Sequence, residues 1–360
     1  MGAKIKNMIK DDIKKIIEAS LNAPSGSNSQ PWKFKITENN LEIFAFPEED
    51  HKILNYHGRG TWVAHGALIE NIAITARTFG YDAEIKVFPN WPETKISASI
   101  NFSPTAPQDD ILQKAIESRC TNRKPYRTEA LSVSQKNNLM NVLDDQQKNR
   151  VILIEDSEKI KKLCELLCVN EIVTLENKQL HELFFKEIVW EEKDCQNGEK
   201  GLFLPTMELV KPKQVALRLV KNWPVINFLN KIGFAKAIAK DNAKTFAHAP
   251  LMGAILASDD DRSFIEAGRI IERLWLKTTD IKMSFHLISG IMFFWQSLKD
   301  TASKKCMDQS GHVSRIENAY AEIKKVFDFP SDIVALTFRI GFSEKPTSLS
   351  YKKSIDELIV

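Results

Sequence analysis

No charge imbalance marks this chain: 50 Lys and Arg stand against 47 Asp and Glu in 360 residues, leaving +3. A balance that even excludes a global footprint for nucleic acid, so any functional charge must be local. Cysteine is scarce as well. The five (Cys120, Cys164, Cys168, Cys195, Cys306) are odd in number, scattered and without a C-x-x-C pair, which argues against a disulfide framework or a structural zinc site and fits a reducing compartment. Cys164 and Cys168, one helical turn apart, read as buried apolar residues rather than metal ligands. Long apolar runs are missing: the longest, Phe285 to Trp295, falls short of the ~20 residues a bilayer span needs. The opening residues, Met1 to Ala19, alternate Lys with Ile like an amphipathic helix and show no signal-peptide pattern. Lys6 stands where a myristoylation signal after Gly2 needs Ser or Thr. The expectation is a cytoplasmic protein without a metal.

What is present is a divergent internal repeat. With 43% hydrophobic residues the chain is long enough for two domains. The segment Trp62 to Ile72 recurs as Phe264 to Leu274, with Gly66 matching Gly268 and Glu70 matching Glu272. Further on, Ile100-Asn101-Phe102-Ser103 and Ile340-Gly341-Phe342-Ser343 each end an alternating strand, Ile96 to Ser103 and Ile333 to Ser343. Prolines and acids between Pro104 and Asp110 read as a linker. The expected division is therefore a first half over residues 1–109 and a second over 110–360, the second carrying an insertion at about 165–245.

In that insertion, Trp190 to Gly201 reads as an exposed, turn-rich loop, and Val215 to Lys240 as two helices joined at Trp223-Pro224. The region holds a basic cluster, Lys211, Lys213, Arg218, Lys221, Lys231, Lys236, Lys240 and Lys244. Docking of this stretch on an anionic membrane is one reading. A lid packed on the protein is the more economical one, given the interruptions at Pro224 and Gly233.

Two short strings carry chemistry. Ala23 to Phe34 is a polar loop between a helix and a strand, with Ser25, Asn28 and Gln30 offering side-chain hydrogen bonds and Pro24 and Pro31 fixing the backbone. Taken alone it is more often a self-satisfied turn than a ligand loop. Arg119-Cys120-Thr121-Asn122-Arg123 puts two guanidinium groups and a hydroxyl in one turn after a helix over Ile111 to Ser118, an array that suits a phosphate. Taken alone it is more often a solvated basic helix end.

The first string resembles the flavin loop of the FMN-dependent nitroreductases, Pro-Ser-x-x-Asn-x-Gln-Pro-Trp, and nearly the whole chain, including the arginine turn and the closing segment Arg339 to Leu358, resembles their Acg subfamily of fused tandem units. That resemblance implies an α+β, nitroreductase-like three-layer α/β sandwich, two fused copies forming an intramolecular pseudo-dimer, with further homodimerisation left open. It implies Pro24, Ser25, Asn28 and Gln30 at the flavin, Arg119 and Thr121 at the FMN phosphate, and Arg123 nearer the ring edge. Lys352 or Lys353 is implied near the phosphate as well, with Ser289 beside Gly290, whose N–H is the implied donor to the reactive flavin nitrogen.

Under the same resemblance each half explains the other. The first has the loop but no arginine turn, and the second has the turn but no such loop, so one complete site per chain is expected. The implied activity is hydride transfer from NADPH or NADH through FMN to a small-molecule acceptor, a nitro compound or quinone. The alternative is a protein that stores or sequesters FMN under the insertion, with little turnover.

Overall fold

The structure, a computed structural model, describes residues 2–50, 52–196, 200–308, 311–329 and 332–360, with side chains from residue 9 onward apart from 52 and 196. Residues 197–199 of the expected turn-rich loop thus lie outside the described residues.

Two four-stranded antiparallel sheets organise the chain. After α1 (Gly2–Ser20), β1 (Trp32–Thr37) and β2 (Asn40–Ala45) form a hairpin, α2 (Arg59–Thr78) crosses, and β3 (Tyr81–Val87) and β4 (Ile96–Pro104) complete the first sheet in the order β1-β2-β4-β3. The short α3 (Gln113–Ser118) leads to the second sheet. There β5 (Val151–Ile154), β6 (Leu251–Ala257), α10 (Asp261–Asp280), β7 (Ser284–Leu287) and β8 (Ile333–Gly341) repeat the pattern, with strand order β5-β6-β8-β7. Strand for strand, the connectivity is the same.

The repeated helices pack on each other at the repeated glycine. A Cβ on Gly66 would lie 2.0 Å from the Ile265 carbonyl oxygen and 2.9 Å from the Gly268 Cα; one on Gly268 would lie 2.1 Å from the Val63 carbonyl oxygen. Only a residue without a side chain lets the two backbones approach this closely. Sandwiched between α10, α1 and the first sheet, α2 is buried nearly all round, including His65, Glu70 and Asn71.

Coverage of the two sheets differs. Every residue of β6 and β8 is buried, because α10 packs one face and α4 (Ser157–Leu167), α11 (Gly290–Ser297) and α12 (His312–Phe327) pack the other. In the first sheet buried and part-exposed residues alternate, so one face is only partly covered. Three layers thus describe the second half and not the first.

The insertion contains α5 (Val169–Glu176), α6 (Lys178–Lys186), α7 (Lys211–Val220), α8 (Trp223–Asn230) and α9 (Phe234–Phe246). Where two helices were expected over Val215 to Lys240 there are three. Pro224 sits in the first turn of α8, where its missing N–H costs nothing, and Gly233 at φ +87° separates α8 from α9. Phe185, Ile188, Leu204, Val220 and Ile226 form a small core of their own, with Phe184, Trp190 and Trp223 against it. Phe203 is buried beside Tyr351. Phe228 is 65% exposed.

Candidate active site

A cavity of about 130 Å³ opens where the loop after α1, the turn after α3 and the segment around Ser350 meet. Pro24, Ser25 and Asn28 line it from the first half, and Arg119, Thr121 and Arg123 from the second. Lys352 lines it too; Lys353 does not.

The loop holds an unusual backbone. Ser27, Asn28 and Gln30 have φ of 44°, 58° and 51°, a region that non-glycine residues seldom occupy. It persists because its polar groups are taken up. Ser25 Oγ accepts from the Gln30 N–H (3.0 Å), Asn28 Nδ2 donates to the Tyr351 carbonyl (2.7 Å), and Gln30 Oε1 accepts from the Lys353 N–H (2.9 Å). His65, fully buried, reaches the Pro31 carbonyl (3.0 Å) and Ser97 (2.6 Å), and burial holds its pKa down at about 4. Gln30 and Lys353 therefore serve as fasteners outside the cavity lining.

The arginine turn is fixed from below. Arg119 lies over the Trp275 ring (4.4 Å), donates to the Asn22 carbonyl (2.6 Å) and faces the Glu272 carboxylate (3.4 Å). Its Nη1 is buried with no hydrogen-bond partner. Trp275 donates to the Cys120 carbonyl (3.2 Å), and Asn122 donates to Ser284 (2.9 Å) and to the Glu344 carbonyl (2.8 Å). Arg339, fully buried in β8, donates to the carbonyls of Arg123 (3.2 Å) and Lys124 (2.9 Å). It stacks on Tyr126 and takes no carboxylate partner among the described residues. Sequence reasoning missed Arg339; a lone cation inside the apolar run Ile333 to Gly341 was the available signal.

Glu272 is the other unforeseen member. Its repeat mate Glu70 pairs with Arg269 (2.9 Å) and Arg273 (2.6 Å) from α10. The positions on α2 that match those arginines hold Ala67 and Asn71, so Glu272 has lost that pairing and stands under Arg119 instead. Neither carboxylate oxygen makes a well-formed hydrogen bond, and Asn71 is its weak amide neighbour. Burial pushes its pKa up to about 7 against the pull of Arg119. Lys352 donates to the Ala23 carbonyl (2.8 Å) and Asn28 Oδ1 (3.1 Å), and burial together with Arg119 brings its pKa down to about 7.

These two titrations fix a sign. An anion in the cavity favours Lys352 protonated and Glu272 neutral, and both states are lost as pH rises through about 7. Inorganic phosphate affinity, measured calorimetrically, should fall about tenfold or more between roughly pH 6.5 and 8.5. Inorganic phosphate's own second ionisation falls within the same interval and works in the opposite direction, so it offsets part of that fall. Affinity that stays flat or rises over that interval would contradict the assignment of both groups.

The insertion reaches the same place. Leu202 and Thr206 line the cavity, Arg123 donates to the Thr206 carbonyl (2.9 Å), and Ser27 donates to Glu187. Ser289 and Gly290 are elsewhere. Ser289 is exchanged with Thr337 of β8, accepting from its N–H (2.9 Å) and donating to its carbonyl (3.1 Å), and Gly290 lies against Asn170 of α5.

Comparison with known proteins matches residues 3–56, which carry α1 and the loop, to a sequence family described as "Putative TM nitroreductase". Over this part the chain is similar to that family, and the match covers well under half of its length. Its similarity to curated relatives is distant. It is 25% identical over 118 residues to the "Putative NAD(P)H nitroreductase Rv3131" of Mycobacterium tuberculosis, covering 32% of this chain and 34% of that one. It is 28% identical over 119 residues to the "Putative NAD(P)H nitroreductase acg" of the same species, covering 32% and 36%. The matched region thus spans about a third of the length of these relatives. Among solved structures, an FMN-dependent nitroreductase of Mycobacterium smegmatis in complex with NADPH aligns at a TM-score of 0.38 with 9% identity, over 69% of this chain and 96% of that one. An FMN-bound nitroreductase of Bacteroides fragilis aligns at 0.32 with 10% identity, over 68% and 95%. Overlap at that level adds nothing to the fold argument. No helix among the described residues is long and apolar enough to cross a membrane.

Proposed function

We propose that this chain is an FMN-dependent oxidoreductase built as an intramolecular pseudo-dimer, residues 1–109 and 110–360, with one flavin site where the halves meet. The observation that carries the reading is the cavity lined from both halves, where Arg119, Arg123 and Lys352 converge and Arg119 Nη1 lacks a partner. That donor set fits a phosphate monoester, because fixed guanidinium and ammonium groups complement a dianion at little reorganisation cost. Arg119, Lys352 and Thr121 would hold the FMN phosphate, Pro24, Ser25 and Asn28 would border the cofactor, and Arg123 would lie nearer the ring. Bound FMN would supply a two-electron acceptor for hydride from NADPH or NADH and pass it to a nitro compound or quinone. Ser289 and Gly290 stay assigned to the ring through the family resemblance alone.

A second reading, sequestration of FMN, is favoured by one observation. The cavity is smaller than the ~300–1,000 Å³ usual for small-molecule sites, because Leu202, Thr206, Leu349 and Ser350 reach into it. Residues 165–245 then act as a lid, and turnover depends on its opening.

The test is a visible spectrum of the purified chain, followed by NADPH or NADH without oxygen. One FMN per chain is expected, with bleaching on addition of the nicotinamide. Flavin that only dithionite reduces identifies sequestration. Two flavins per chain, or none after reconstitution with FMN, overturns the shared-site reading.

A further inference from the structure

Apolar side chains left in water are concentrated on one part of the molecule. Among the described residues eleven large hydrophobic side chains are exposed, and six of them, Val210, Val215, Leu219, Val225, Phe228 and Ile232, lie in or beside α7 and α8. Val215 and Leu219 share one face of α7, four residues apart; Val225, Phe228 and Ile232 follow one face of α8 and its exit. The opposite sides are already satisfied, since Val220 and Ile226 are buried in the insertion's own core. The outward stripe is therefore surplus to folding.

Charge is segregated onto the same surface. From Leu209 to Lys240 there are seven Lys or Arg and no Asp or Glu, while the remainder of the chain carries 43 basic against 47 acidic residues. Arg218 and Lys221 lie over the Trp190 ring at 5.0 and 5.1 Å, and Lys213 pairs with Asp241 (2.6 Å). Lys231 and Lys236 are exposed, flank Ile232, and form no ion pair among the described residues.

We propose that the α7–α8 face is a docking surface for an anionic lipid bilayer, with Leu219, Phe228 and Ile232 entering the headgroup boundary and the lysines facing the lipid phosphates. Exposed apolar tips among cations, with no acid between them, match an anionic interface on both counts. A second copy of the chain fits worse, because a two-fold contact would set this cationic patch against itself. A polyphosphate backbone offers the aliphatic side chains nothing to bury against. The proposal is independent of the flavin assignment.

The experiment is co-sedimentation of the full chain with vesicles of phosphatidylcholine alone or mixed equally with phosphatidylglycerol. Binding is expected only to the mixed vesicles, and its loss is expected at about 1 M salt, where the screening length falls to about 3 Å. Lys231→Glu with Lys236→Glu should weaken it on the order of tenfold or more. Leu219→Ser, Phe228→Ser and Ile232→Ser together should weaken it to a similar extent. All five positions are exposed, so an unchanged melting temperature shows that the variants fold. No binding to mixed vesicles at low salt, or equal binding by the triple-serine variant, overturns the proposal; so does a wild-type dimer in gel filtration that the triple-serine variant converts to monomer, which assigns the face to self-association.

Discussion

Arg119→Ala should lower folding stability by about 3 kcal/mol or more, and the loss should grow with pH. Three contributions disappear together: charged hydrogen bonds to the Asn22 carbonyl, stacking on Trp275, and the compensating charge beside Glu272. Charged hydrogen bonds contribute roughly 1.5–3 kcal/mol each, and removing one partner of a buried pair costs about 3–5 kcal/mol. The upper part of that range is not expected here, because Glu272 is already poised to take a proton.

The pH dependence follows from the raised carboxyl pKa. With 4.5 as the ordinary value and about 7 in the fold, Glu272 favours folding below 4.5, and that contribution is lost as pH rises through 7. Without Arg119 its pKa rises further, so the variant's deficit is smallest in acid and largest above neutrality. Urea melts at about pH 5 and 8 would show this difference. Glu272→Gln placed in the Arg119→Ala background should recover stability at the higher pH and little at the lower. A deficit independent of pH, unaffected by Glu272→Gln, would mean that the ion pair contributes nothing and only packing is lost.

Gly66→Ala is the second large effect. In an ordinary helix this change gains up to ~1 kcal/mol, yet here the new methyl would meet a backbone carbonyl at 2.0 Å, which no side-chain adjustment relieves. The α2 and α10 backbones must separate, opening the core that both sheets share. A net loss of about 3 kcal/mol or more is expected, at the upper end of overpacking costs. Gly268→Ala should behave alike. The double variant should cost less than the sum, since helices already pushed apart by one methyl admit the other more readily. Denaturation curves showing either single variant as stable as the parent would contradict the close crossing.

The crossing and the site were legible in the sequence to different depths. Gly66 with Gly268 and Glu70 with Glu272 mark corresponding places in the two helices because a close backbone approach and a buried carboxylate each restrict the residue allowed. The loop and the arginine turn were legible as local strings. What pairing does to those strings was not: Ala67 and Asn71 look unremarkable until their mates, Arg269 and Arg273, are seen to hold Glu70 across the helix pair. Nor does local sequence separate Lys352 from Lys353, since neighbours on an extended segment point in opposite directions. That Phe228 faces outward is decided by the packing of α8 and is not written in the local sequence. Arg339 stood in plain view in an apolar strand, but apart from His286 on the neighbouring strand its partners are carbonyls from distant segments.

The stretch from Tyr351 onward returns to the first half: Lys352 donates to the Ala23 carbonyl, α13 (Ile355–Leu358) packs on α1 and β1, and the Val360 N–H reaches the Phe34 carbonyl (2.9 Å). The contact between Asn28 and Tyr351 spans 323 residues. At a synthesis rate of about 5–20 residues per second, the loop waits roughly 15–65 s on the ribosome for the residues that fasten it. During that interval Asn28 and Gln30 lack their bonds to Tyr351 and Lys353, while Ser27 waits only for Glu187. The pocket is therefore assembled only after the second half has emerged, and whatever it binds is captured by both halves together rather than templating the first half alone.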